Sequence, residues 1–257
     1  MERRRIAKAL ALLALGAVAG LATSHLSLAG GASPAESLAL QSLGVEIFLL
    51  SVAVAGATLG PAPLGVRLGL APSALGWRWQ ALLVLGAIAS SYGLDGVLEI
   101  SGLREHSVLA QLDGTLAGVR GRALLLALVG IGLAPGIAEE LLCRGLVQRS
   151  LEARLGPALA VPLAALFFGA LHGDRVHAAF ASVLGLYLGL AAQLAGSVRV
   201  AIACHAINNL LAVAVAAIWP GLELVTGAST AAGFGVALAC LWAVKRRAAV
   251  AAPPPFA

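Results

Sequence analysis

Residues 121–144 read GRALLLALVGIGLAPGIAEELLCR, an almost uncharged apolar run that ends in two adjacent carboxylates and an arginine. A helix needs about 20 apolar residues to cross the hydrocarbon core of a bilayer, and the run up to Glu139 is of that order. Backbone groups in lipid must find their partners internally, so a chain built on such a segment is a helical bundle or a closed barrel. The apolar part therefore decides the fold. The charged end raises the question of function: an ionisable group at membrane depth costs about 3 kcal/mol on insertion scales, and such groups tend to be paired, to line a cavity or to do chemistry.

The rest of the chain agrees with the membrane reading. It has 257 residues, of which 60% are hydrophobic and 11% charged, a balance outside that of soluble domains. Further windows long and apolar enough to span fall at 6–28, 38–60, 81–100, 157–173, 177–195, 198–218 and 224–244, which with 121–142 predicts about eight transmembrane helices. The expected fold is an all-α polytopic membrane bundle. Its 31 glycines favour close helix approach. Trp77, Trp79, Trp219 and Trp242 fall at span ends, where indoles prefer to sit. The opening MERRR and the apolar run behind it are read as an uncleaved first helix rather than a removed signal peptide.

Net charge is +5, which in a soluble protein raises nucleic-acid binding; here the basic residues flank apolar spans, so no nucleic-acid partner is expected. Arg3, Arg4, Arg5, Lys8, Arg67, Arg78, Arg149, Arg154, Arg199 and the Lys245–Arg247 cluster share one side. Arg104, Arg120, Arg122 and Arg175 are on the other, which predicts cytoplasmic N- and C-termini. The composition, rich in Ala, Leu and Arg, suggests a multi-pass protein of a bacterial inner membrane. Cys143, Cys204 and Cys240 show no CxxC spacing and read as buried thiols. The expected organisation is an N-terminal part of three spans and loops at 1–120, a core at 121–218, a last span at 219–250 and a disordered tail at 251–257.

Polar residues inside the spans are Glu46, Asp95, Glu99, Glu139, Glu140, Arg144, His172, His205, Asn208 and Asn209. Glu140 and Arg144 are four apart and share a helix face, while Glu139 is turned away by about 100°. The bland reading is a helix end braced by a Glu140–Arg144 pair, with Glu139 snorkelling. His205 and Asn209 also share a face. Gly156-Pro157 marks a turn, and Glu139 lies 17 residues before Gly156 and His172 16 after it, so the two are level in an antiparallel hairpin. His205 is only 8 residues beyond the turn at Gly196-Ser197, so for all three to meet the hairpin must project past the bundle end. Pro135-Gly136 is expected to kink the helix and open space around Glu139.

Three motifs stand in order: Glu139-Glu140-Leu141-Leu142-Cys143-Arg144, Phe168-Gly169-Ala170-Leu171-His172 and His205-Ala206-Ile207-Asn208-Asn209. As EExxxR, FxxxH and HxxxN they resemble the pattern of the CPBP family of intramembrane proteases, which includes type II CAAX prenyl endopeptidases, bacterial Abi-type proteins and myxosortase-like members. The likeness covers roughly residues 120–215. It implies that Glu139 and His172 activate a water, that His205 and Asn209 stabilise the oxyanion, and that Glu140, Arg144 and Phe168 support the site. A metal-free, glutamate-dependent mechanism without cofactor is expected. Glu139, His172 and His205 also make a zinc set of one carboxylate and two histidines, although HExxH is absent. A Cys143 or Cys204 nucleophile is not required by the pattern.

The expected activity is hydrolysis of a membrane-associated protein or peptide near its C-terminus or leader, such as a sorting signal or a bacteriocin-type peptide, with the lipid bilayer as the other partner. The alternative is a non-catalytic immunity or scaffold protein, or a transporter, in which Glu46, Asp95 and Glu99 belong to a polar path.

Overall fold

Proline and glycine punctuate a chain that is otherwise helix-forming throughout, and the computed structural model follows them. It describes residues 2–28, 31–222 and 226–251, among which there is no strand. In order the helices are α1 (Glu2–Leu28), α2 (Pro34–Thr58), a short α3 (Leu64–Arg67), α4 (Trp77–Ile100), a 3-10 turn at Leu103–His106 and α5 (Val108–Leu116). A continuous rod follows, made of α6 (Gly121–Ala127), a π-helical stretch (Leu128–Leu133), α7 (Ala134–Glu140), a second π stretch (Leu141–Gln148) and α8 (Arg149–Leu155). The last elements are α9 (Pro157–Ala170), α10 (Arg175–Ala195), α11 (Val198–Ile218) and α12 (Gly227–Ala251).

Among the described residues seven helices are long and apolar enough to cross a membrane, and the fold is an all-α polytopic bundle. The expected span at 157–173 is the exception. It is a helix of 14 residues, about 21 Å long, against a core of about 30 Å. It ends early because Gly173 takes a left-handed φ of 71° and the Asp174 side chain caps α10. Its partner strut, Gly121–Leu155, is 35 residues long. The loop after α2 closes against that strut and α11: the Val198 N–H donates to the Gly69 carbonyl at 3.0 Å, and Gly69 faces Arg149. Residues 150–157 therefore extend beyond that closure, as the level of His205 requires. The tail at 252–257 lies outside the described residues.

Helix α2 begins with a complete capping box, Ser33 and Glu36, and has Pro34 in its first turn. It lies between α1 and the long strut. Leu10, Leu15 and Val18 on α1, and Leu238 and Trp242 on α12, are exposed, as a lipid-facing surface requires. Beneath them the core is small and tight, with Ala53, Ala57, Leu142, Cys143 and Phe168 in the cluster that surrounds the charged motif.

Candidate active site

The two π stretches flank α7, which holds both carboxylates. Pro135 has no N–H to offer the carbonyl one turn back and its ring crowds that carbonyl; widening the preceding turn to a π geometry accommodates it. Gly136 has a different effect from the one expected. A Cβ there would lie 2.6 Å from the backbone of Ala206, so Gly136 brings α11 against the strut instead of opening space. That approach places His205, one residue before Ala206, over the carboxylates.

Glu140 and Arg144 form the expected pair, with Arg144 Nη1 donating to Glu140 Oε1 at 2.6 Å and both side chains fully buried. Arg144 Nη2 donates to the Gly185 carbonyl at 2.8 Å, and the guanidinium lies over the Phe168 ring, 4.6 Å from its centroid. One helical turn on, Gln148 Nε2 donates to the Gly189 carbonyl at 3.2 Å and to Glu152 at 2.9 Å. Arg144 and Gln148 thus dock one face of the strut onto two glycines of α10 that are themselves four apart. A Cβ on Gly185 would crowd Phe168 and Arg144.

Glu140 Oε1 also receives His205 Nδ1 at 3.0 Å. Because Glu140 is ion-paired, it accepts, and His205 carries its proton on Nδ1. Its Nε2 then faces Glu139 Oε2 at 3.9 Å. Glu140 is therefore more than a helix brace: it sets the tautomer of the neighbouring histidine. His172 is oriented by the same logic, since its Nδ1 meets the Phe168 carbonyl at 3.0 Å and a carbonyl only accepts. Its Nε2 is left as the basic nitrogen. Both imidazoles stand edge-on to Phe168, with centroids at 5.0 Å for His172 and 5.6 Å for His205.

Glu139, Glu140, Arg144, Phe168, His172 and His205 are thus one cluster drawn from the strut, the α9 end and α11. Asn209 lies one turn beyond His205, half-buried, and accepts from Asn208 Nδ2 at 3.4 Å; Asn208 is the more buried amide. All three cysteines are free and buried. Among the described residues no three His, Cys, Asp or Glu side chains are grouped to hold a metal ion, so the Glu139, His172 and His205 set is not preformed as a ligand shell.

The sequence reading does not place several contributors at this site, although it names Glu46 among the polar residues of the spans. His177 stacks on His172 with centroids 4.3 Å apart, and a spacing of five across a turn gives no helical signal for it. Glu46 on α2 is buried, and interacts electrostatically with Glu139. Ser107 reaches in from the loop before α5 and donates to Asp174 at 2.8 Å beside the His172 turn. The His177 N–H and that Ser107 hydroxyl hold the Asp174 carboxyl below the usual carboxylate range. Asp95 and Glu99 are elsewhere, both bound to Arg104.

Comparison with known families agrees with the motifs. Residues 121–211 match the model of the Rce1-like family, type II CAAX prenyl endopeptidase. No characterised protein and no solved structure gives a match. At the level of that family, the match supports a CAAX-protease-like intramembrane endopeptidase, and hence a hydrolase, in a multi-pass membrane protein.

Proposed function

We propose that the chain hydrolyses a peptide bond of a membrane-associated protein or peptide close to its C-terminus or leader, with Glu139 and His172 activating the water and no metal taking part. The observation that carries the reading is the placement of Glu139 against His205 in a site where Glu140 and the Phe168 carbonyl fix the ring orientation of both histidines. In this scheme Glu139 takes a proton from water as its oxygen attacks the scissile carbonyl. The carbonyl oxygen becomes the oxyanion of a tetrahedral intermediate, and Asn209 and His205 donate to it. For His205 to donate through Nε2 the ring needs a second proton: Glu139 Oε2, which faces that nitrogen at 3.9 Å, passes on to it the proton taken from water and takes it back as the intermediate collapses. Collapse breaks the C–N bond, and the proton taken from water leaves with the amine.

The sequence composition favours a bacterial inner membrane, and with it sorting tails or bacteriocin-type peptides as substrates over prenylated proteins. Comparing membrane and secreted protein termini by mass spectrometry in wild-type, deletion and Glu139→Ala-complemented cells tests both points. Loss of the same termini in the deletion and in the variant, at normal protein level, is the expected outcome and names the substrates. Unchanged termini across growth conditions would favour a non-catalytic scaffold.

A further inference from the structure

Glu46 is an acidic group on a helix that carries none of the three motifs, and the hydrolytic scheme does not use it. It is 5% exposed, and its Oε2 is buried without a hydrogen-bond partner among the described residues. A carboxyl in that state within a membrane bundle is costly unless another group answers it.

Helix register shows which group that is. Ser42 Oγ donates to the Gly130 carbonyl at 2.7 Å, and further along, Gly56 faces Leu146. Between these two points α2 and the strut run side by side in the same direction. Glu46 follows Ser42 by one turn and precedes Leu49, Leu50 and Ala53, which pack into the cluster containing Leu141, Leu142 and Cys143. It therefore faces the α7 segment that ends in Glu139 and Glu140.

Of those two carboxylates, Glu140 is engaged by Arg144 and His205. The Oε2 atoms of Glu46, Glu139 and Glu140 are all buried without a hydrogen-bond partner among the described residues, but Glu140 is held through its Oε1, whereas Glu139 has only the approach of His205 Nε2 at 3.9 Å. The charged groups acting on Glu139 are His205 from α11, Glu140 and Arg144 from the strut, and Glu46 from α2. Arg144 directs its terminal nitrogens to Glu140 and the Gly185 carbonyl. Glu46 is thus left facing a second carboxyl, and a hydrogen bond between the two, direct or through one water, with one carboxyl donating, would answer both.

We propose that Glu46 is a positioning residue for Glu139: across the α2–α7 interface its carboxyl fixes the orientation in which Glu139 faces water and substrate. The inference rests on the hydrolytic reading for its kinetic consequence and on the structure alone for the contact. A small displacement of a reacting group costs rate more than substrate binding, so kcat and not KM is where the loss falls.

The test uses the full chain in nanodiscs as wild type, Glu46→Leu, Glu46→Gln, Glu139→Gln and the Glu46→Gln/Glu139→Gln double variant. The probe is an internally quenched peptide carrying a cleavage site found from the cellular termini, and thermal unfolding is followed in parallel. Glu46→Leu is expected to lower kcat about 100-fold with KM within about twofold, and Glu46→Gln, which keeps hydrogen bonding, to return within about tenfold of wild type. Full kcat in Glu46→Leu beside an inactive Glu139→Gln overturns the Glu46 proposal and leaves the hydrolytic reading intact. Full activity in Glu139→Gln, or no cleavage by wild type, removes the support for that reading, and the contact is then judged from unfolding. There, shifts of the two Gln variants that fail to add support the contact, and additive shifts overturn it.

Discussion

Two arginines of this protein, Arg144 with one carboxylate and Arg104 with three, form ion pairs under opposite conditions. Arg144 lies fully buried between Glu140, the Gly185 carbonyl and the Phe168 ring. Arg104 binds Asp95, Glu99 and Asp113 at the loop end of α4, at 2.8, 3.0 and 2.6 Å, with all three carboxylates about half exposed. By number of ion pairs alone the outer cluster looks the stronger, with three against one. Dielectric reverses that order, because exposed pairs are screened by water and salt while a buried pair left without one partner strands a charge. What the inner cluster gains from this is orientation: Glu140, fixed by Arg144, in turn fixes His205.

The comparison is broken most readily at its buried side. Arg144→Met leaves Glu140 uncompensated and should cost about 3–5 kcal/mol, which in this bundle means loss of folded protein, read as yield and melting temperature in detergent. Replacing Glu140 and Arg144 together by Gln and Met should recover much of that stability without recovering activity. If the single variant is as stable as wild type, the buried pair does not have the weight assigned to it.

A smaller effect, on rate alone, is expected at the groups that the network orients. His205→Ala and Asn209→Ala should each lower kcat by about 10²–10³ with the protein still folded, the size seen when one oxyanion donor is removed. Steady-state kinetics on a cleaved peptide measures this, and an unaffected kcat in both variants would remove them from the reaction.

The outer cluster should respond weakly. Arg104→Met is expected to cost no more than about 1 kcal/mol, and less as salt is raised. A loss as large as that of Arg144→Met would erase the distinction between the two regions. Weakest of all is the Ser107–Asp174 link, which ties the outer loop to the turn carrying His172. Asp174 is held below the usual carboxylate range, so its contribution is present above that range and is lost only as pH falls through the lowered value. Hydrogen exchange in residues 103–116 should therefore stay protected through mildly acidic pH in wild type and loosen slightly in Ser107→Ala at all pH values.

Much of the site is legible where partners are neighbours along one helix. The spacing of four residues shows that Glu140 and Arg144 meet, and the structure bears that out; the nearly equal distances of Glu139 and His172 from the Gly156 turn, 17 and 16 residues, predict a common level. The limit is reached where partners are distant in sequence. Nothing near Glu46 announces Glu139, 93 positions later, because what brings them together is the register of α2 on the strut, set by contacts such as Ser42 on Gly130. Gln148 likewise carries no signal in the sequence for its bond to the Gly189 carbonyl on another helix. Pro135-Gly136 is legible as a perturbation, yet its sense is not: absorbing the proline in a π turn and seating Ala206 on the glycine is a property of two helices together. The short α9 escapes for a related reason, since apolar composition continues past the point where Gly173 and Asp174 turn the chain.

The most direct measurement compares purified, reconstituted wild type with Glu139→Gln on a peptide carrying a cleavage site found from the cellular termini. Both proteins must unfold at the same temperature for the comparison to bear on chemistry. Cleavage by wild type with a fall of about 10²–10⁴ in kcat for the variant is the predicted result, the range for loss of a general base. Equal rates in the two proteins would contradict it, and Glu139 would then be a buried charge that serves packing alone.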